Sequence, residues 1–418
     1  MSKSVPYYRC SFVSRKNYVQ TIRYKQINHI FPQIWRVEWR QKIQVLSKIL
    51  EDAFLECAAL KNMMTVRVLL SSVSLSSSSC RWSFTADAGV VLYEIGERQN
   101  KKICTAQSIT VEISKGSVFY NGKKRDLPCM IVPHKGCMAF NNTLYDGSFL
   151  IYPYKNDVLC INCVDLEHYV CSVLKTESWP GWPLEVNKVF AIACRSYVVS
   201  QAQSACRTKK PFHVKNNNEH QTYQGKHDNK LLYQAVDQTR GCILGCTRNR
   251  PVLAMFDSCC GGIIPAQISD FDFTKAPYLA REYACTYCVG CSLYTWKHIY
   301  TRREFRHMLM HHVAPLRYIT AIRVIKDAAD IVTEVIFYER NKSVCVTGKK
   351  LYSLIKEIKS FSFDIRITKD SIILNGHGFG HHIGLCQWGV REMVRQGWDY
   401  KSILRFYYPG TRIMKIVN

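Results

Sequence analysis

The stretch ESWPGWPLEVNKVFAIACRSY, Glu177 to Tyr197, sets one carboxylate in a turn of tryptophans and prolines and then opens a long helical run. Pro180 and Pro183 have no amide N–H for a helical ladder, so the chain breaks between two helices and Glu177 stands at the break. Trp179 and Trp182 flank the acid with apolar surface. A carboxyl group partly withdrawn from water stays protonated nearer neutral pH, as a general acid must. Taken without its surroundings, the same residue also reads as a solvated loop glutamate.

Working outward, residues 166–175 and 184–203 carry helical periodicity, the second with Val186, Val189, Phe190, Ala193 and Tyr197 on one face. Lys188 and Arg195, seven residues apart, share another face of that helix and could present cations to an anionic substrate near the turn. Upstream, residues 65–164 alternate like short strands, with turns expected at 120–124 and 141–147. Downstream, strand-like runs at 241–244, 252–256, 319–325 and 331–338 surround a helix at 302–312. A Gly/His loop at 375–384 then leads to a helix at 387–396 closed by Gly397, and to a short helix after Asp399. The expected fold is α+β, with β-rich lobes and a few helices. Three regions are expected: a basic extension over 1–62, a β-rich part over 63–164 and a core with the Gly/His loop and closing helices over 165–418.

The chain of 418 residues is 47% apolar, enough for a substantial core, and its formal charge of +25 calls for an anionic partner. Nucleic acid, an acidic membrane surface and an acidic polymer all satisfy charge alone. No zinc finger, RNA-recognition signature or basic helix motif accompanies it, so nucleic acid is not expected. No run approaches the roughly 18 apolar residues of a membrane span. The stretch 63–80 reads as a strand interrupted by Arg67, with a weak leader as the competing reading. Residues 1–62 end in an amphipathic stripe through Trp35, Leu46 and Phe54, which fits a partner or membrane contact, or an extension upstream of the true start. Most of the 20 cysteines fall in apolar segments and read as small buried hydrophobes, against an oxidising compartment with some disulfides.

The opening stretch, extended to Val199, resembles the signature of the sporulation stage II protein D (SpoIID/LytB) family: an acid, Ser-Trp-Pro, a Leu-Glu pair, Lys, a small-residue helix, then Arg-Thr/Ser-Tyr. NGHGFGHHIGLCQWGVREMVRQGWDYKSILRFYYPGT, Asn375 to Thr411, resembles the closing motif of the same family. QTYQG, TRGCIL and FDSCCGG, starting at Gln221, Thr239 and Phe256, resemble segments between the two, so the likeness runs roughly from Thr65 to Thr411.

The resemblance implies a lytic transglycosylase of cell-wall glycan strands whose stem peptides an amidase has removed, with Glu177 as the acid. It also leaves a second reading, a glycan-binding enhancer of a cell-wall amidase. Lys188, Arg195, Ser258, His381, Gln387 and Trp182 are the positions it implies for substrate contact or for shaping the cleft. Such a substrate places the protein in the cell envelope, periplasmic or at the outer face of the inner membrane, although no clear signal peptide is visible. No cofactor is implied. Some relatives hold zinc in the loop before Gln-x-Tyr, but FHVKNNNEHQTY has Lys215, Glu219 and His220 where those ligands would fall, so no metal is expected there. Cys285, Cys288 and Cys291 have metal-like spacing, with Cys259 and Cys260 elsewhere as further partners, but buried thiols or a disulfide is the preferred reading and no metal is assigned. His377, His381 and His382 lie among glycines without an HExxH helix, which argues against metal-dependent hydrolysis.

Overall fold

The computed structural model describes residues 65–416, apart from 77–78, 97–98, 115, 247–249, 314–315 and 317. The amphipathic stripe through Trp35 and Phe54 lies outside the described residues. Val66 and Val68 of strand Thr65–Ser74, Trp82 and Phe84 of Cys80–Glu94, and Ile109, Val111 and Ile113 of Lys101–Ser114 are buried in one core. Their period-two spacing and branched side chains make this region strand. The stretch read as strand or leader therefore contributes a strand, held between Asp157–Asp165 and Val214–Lys215 in an 11-stranded sheet. Both expected turns are two-residue hairpins. Asn121 (φ 47°) and Gly122 (φ 76°) close Tyr120 on Lys123, and Asn141 (φ 46°) and Asn142 (φ 70°) close Phe140 on Thr143. Paired positive φ values match the right-handed twist of the strands they join.

Strand Asp157–Asp165 runs straight into helix Leu166–Glu177. The Asp165 carboxylate accepts from the main-chain N–H groups of Glu167 (2.9 Å) and His168 (3.2 Å), satisfying two donors that the first helical turn leaves free. The next helix, Leu184–Arg207, crosses the core. Val186, Val189, Phe190, Ala191, Ile192, Ala193 and Cys194 are all buried, because helices Leu166–Glu177, Lys230–Gln238 and Tyr400–Tyr407 and strand Cys242–Gly245 pack around it. The one-sided stripe read from the sequence is thus part of a helix covered on nearly every side.

A second core gathers Phe305 and Leu309 of helix Arg302–His312, Val335 and Phe337 of Val332–Glu339, Phe363 of Ser362–Ile367 and Leu374 of Ser371–His377. Helix Arg302–His312 starts on a reciprocal cap between Thr301 and Glu304. The expected strand at 252–256 shrinks to Phe256–Asp257, which pairs in parallel with Leu385–Cys386. Val252 and Ala254 are buried off any ladder, so their apolar pattern reports core contact rather than pairing. The fold is α+β. Among the described residues no helix is long and apolar enough to cross a membrane.

Candidate functional site

Glu177 is the last residue of its helix, where the following Trp-Pro-Gly-Trp sequence forces a turn. Pro180 and Gly181 are the central residues, Gly181 has φ 78°, and Trp182 N–H donates to Trp179 O at 3.2 Å, the pattern of a type II turn. Two buried side chains fasten that turn: Ser178 Oγ donates to Asn187 Oδ1 at 2.5 Å, and Asn187 Nδ2 donates to Trp182 O at 3.1 Å.

Burial raises the Glu177 carboxyl above the ordinary carboxylate range, while one hydrogen bond, from Thr222 N–H to its Oε1 at 3.1 Å, pulls it down. Thr222 belongs to QTYQG, which is laced to the same helix. Thr176 Oγ1 donates to Thr222 O and Ser172 Oγ to Gly225 O, each at 2.6 Å. Thr222 acts through its main chain, so side-chain chemistry carried no signal for it.

The closing motif meets this turn directly. Gln387 Nε2 donates to Glu177 O at 3.0 Å, although the residues are 210 apart in sequence. Trp388, the next residue, packs edge-on against Trp179 and Trp182, with centroids at 5.6 and 5.7 Å, and its main-chain N–H donates to Ser258 O at 3.1 Å. His381 lies half-buried on the neighbouring loop. Its Nδ1 accepts from Ile383 N–H at 3.1 Å, and burial pushes its pKa down to about 4, so the ring is neutral near pH 7.

One sequence expectation needs correction, that Arg195 presents a surface cation. Arg195 does not face substrate: it is fully buried, with Nε and Nη2 on both oxygens of Glu167 and Nη1 on Cys242 O and Ala191 O. Enclosure of its helix turns a supposed surface cation into the internal tie between two helices and a strand. Trp182 is 6% exposed and stacks on Phe190, so it shapes the turn from within, whereas Trp179 at 45% exposed offers the free indole face. Lys188 is pinned by Glu185 at 2.6 Å and sits over the Tyr400 ring.

Other cations stand nearer the tryptophans. A cavity of about 450 Å³ opens beside Trp388, lined also by Tyr287, Gly290, Cys291, Arg391 and Arg395, with the Arg391 guanidinium 5.0 Å from the Trp388 ring centre. The i, i+4 spacing of Arg391 and Arg395 on helix Gln387–Arg395 was the available sign. Of the cysteines expected near a metal, Cys285 and Cys288 converge with Cys260 and Cys386, while Cys291 turns aside to accept from Leu293 N–H at 3.2 Å. In the loop before QTYQG, Lys215 pairs with Glu219 at 2.5 Å.

Residues 154–245, which include Glu177, the whole enclosed helix and QTYQG, match the family described as SpoIID, stage II sporulation protein. The chain is 30% identical over 279 residues to an uncharacterized protein of Brachyspira hyodysenteriae, covering 66% of this chain and 74% of that one. It is 25% identical over 286 residues to stage II sporulation protein D of Bacillus subtilis, covering 65% and 80%. A shorter similarity, 34% over 73 residues, is to the amidase enhancer of Bacillus subtilis, covering 17% of this chain and 10% of the relative. With the acid turn and the closing motif joined at Gln387, and the Brachyspira protein and stage II sporulation protein D matched over 74% and 80% of their length, the chain belongs to the stage II sporulation protein D family.

Proposed function

We propose that the protein is a lytic transglycosylase of peptidoglycan that cleaves peptide-free glycan strands between muramic acid and glucosamine. The observation that carries this reading is a single carboxyl group, Glu177, withdrawn from water at the end of its helix, just before the turn that bears Trp179 and Trp182. One carboxyl suffices for this chemistry. As the acid it protonates the glycosidic oxygen while the bond to C1 breaks; as carboxylate it then takes the proton of the sugar's own C6 hydroxyl as that oxygen closes onto C1. The proton returns to Glu177, and no water is consumed.

The remaining residues fit a sugar polymer bearing one lactyl carboxylate on every second ring. Trp179 offers an exposed aromatic face for stacking. Arg391, over the Trp388 ring that packs against Trp179, offers a cation in place of the buried Arg195, while Arg395 is tied to Glu392 at 2.6 Å. The action belongs in the cell envelope, and an amidase that strips the stem peptides is its natural partner. The short similarity to an amidase enhancer favours a second reading, in which the glycan site serves to stimulate that amidase.

The test uses purified peptide-free glycan without a partner. Wild type should release fragments ending in 1,6-anhydro-muramic acid, one water lighter than hydrolysed ends. Glu177→Gln, which keeps the shape but lacks the transferable proton, should bind glycan normally and lose about a hundredfold to ten-thousandfold in rate. Reducing ends would indicate hydrolysis and a missing second carboxylate. No release by wild type without an added amidase would favour the enhancer reading.

A further inference from the structure

Four cysteines from three distant segments meet inside the protein. Cys285 and Cys288 lie in a Cys-x-x-Cys loop, Cys260 follows strand Phe256–Asp257, and Cys386 caps helix Gln387–Arg395. All four are buried, and their sulfur atoms all lie within 4.8 Å of one another. Cys260 Sγ and Cys288 Sγ are 3.7 Å apart. Thiolates at about 2.3 Å around one tetrahedral ion stand about 3.8 Å from each other, whereas a disulfide needs about 2.05 Å. An iron–sulfur cluster, with several metal atoms inside, needs its four cysteines more widely spread.

The groups around the sulfurs favour thiolates. Two main-chain donors, Cys260 N–H and Gly389 N–H, both aim at Cys386 Sγ at 3.3 Å. The Tyr407 hydroxyl lies 3.1 Å from Cys285 Sγ. A neutral thiol is a weak acceptor and gains little from such donors; a metal-bound thiolate carries the charge that they satisfy. Gly389 is required for this approach, since a Cβ there would fall 2.8 Å from Cys285 Sγ and 2.1 Å from the Tyr407 oxygen. Arg281, fully buried and with its Nε atom unpartnered, packs its guanidinium over the Tyr407 ring.

We infer that Cys260, Cys285, Cys288 and Cys386 form a tetrathiolate site for one divalent ion with soft-ligand, tetrahedral preference, zinc in the cell. Binding releases the four thiol protons to solvent and closes every coordination position, so the ion is structural. Its place gives it a purpose. It ties the Cys-x-x-Cys loop, one wall of the cavity beside Trp388, to the residue preceding Gln387, and so holds the closing motif against the Glu177 turn.

The full-length chain, purified under reducing conditions, should carry one zinc per molecule by elemental analysis. Replacing zinc with cobalt(II) should give the intense charge-transfer and visible bands of a tetrahedral tetrathiolate. Cys291→Ser, and Cys206→Ser at an exposed cysteine near the end of helix Leu184–Arg207, should each keep one metal, and Cys288→Ser should fall well below one. If Cys288→Ser does not fold, the wild-type stoichiometry and cobalt spectrum decide alone. Folded, reduced protein that takes up no zinc or cobalt when either is added would overturn the inference. So would a mass two hydrogens short for a pair among these cysteines in the reduced preparation, or loss of metal in Cys291→Ser. None of these measurements depends on glycan cleavage.

Discussion

The side-chain amide of Gln387 holds the main-chain carbonyl of Glu177 at 3.0 Å, so the residue that opens one helix fixes the residue that ends another. The bond engages the main chain and not the carboxyl, whose Oε1 is held by Thr222 N–H, and it sets the direction in which the side chain leaves the helix. Gln387→Met keeps the volume and removes the donor. Rate should fall between about tenfold and a hundredfold through misplacement of the acid, with KM nearly unchanged. Steady-state kinetics on peptide-free glycan, paired with a thermal melt, separate this from unfolding.

Arg195→Ala should act on stability. It strands the buried Glu167 carboxylate, and breaking such a pair from one side costs about 3–5 kcal/mol. Urea unfolding should register that loss, and Glu167→Gln combined with Arg195→Met should recover part of it. A mutant of unchanged stability whose glycan affinity becomes less salt-dependent would return Arg195 to the substrate.

The two tryptophans of the turn should separate cleanly. Trp182→Ala opens a hole against Phe190 and Trp388 and should destabilise the fold by about 3–5 kcal/mol. Trp179→Ala should leave the melting temperature almost alone and weaken glycan binding by about 0.5–1.5 kcal/mol. Calorimetric titration with glycan oligomers beside thermal melts distinguishes them.

Glu177 gives a paired expectation in pH. Its folded pKa is raised by burial, so as pH climbs above the ordinary carboxylate value the unfolded chain gives up a proton that the folded chain keeps. Stability therefore declines with rising pH until the folded group also ionises, and activity falls as pH passes that folded value and the general acid is lost. Glu177→Gln should remove that part of the slope in a pH series of melts and be no less stable than wild type at neutral pH.

His213 tilts the other end of the range. Burial lowers its pKa to about 3, and its Nδ1 accepts from Arg67 N–H at 3.2 Å. Between an unfolded value of about 6.5 and the folded one, the unfolded state binds a proton that the folded state refuses, so stability drops as pH falls through that window. Replacing His213 with Gln should flatten the acid side of the melting profile. An unchanged acid slope would count against the buried neutral ring.

The helices flanking Glu177, the hairpins at Asn121 and Asn141 and the helix after Cys386 were legible because each rests on local chemistry: a proline break, positive-φ residues, a cap. The surroundings of the site were less so. Lys188 and Arg195 share a helical face in sequence, yet one is a partly exposed ion pair and the other is sealed inside, since enclosure depends on elements as distant as Cys242–Gly245 and Tyr400–Tyr407. Among the cysteines, spacing along the chain pointed to Cys291, whereas the sulfur that completes the set of four, on Cys386, comes from about a hundred residues later. Thr222 contributes a main-chain N–H, which every residue but proline possesses.

The reach from Glu177 to Gln387 also has a meaning in time. A ribosome adding roughly 5–20 residues per second needs about 10–40 s to travel the intervening 210 residues. Through that interval the nascent chain already holds its acid but neither the amide that aims it nor the indole of Trp388 that walls it. On the proposed activity, the acid gains its aim and its indole wall only when synthesis has nearly finished.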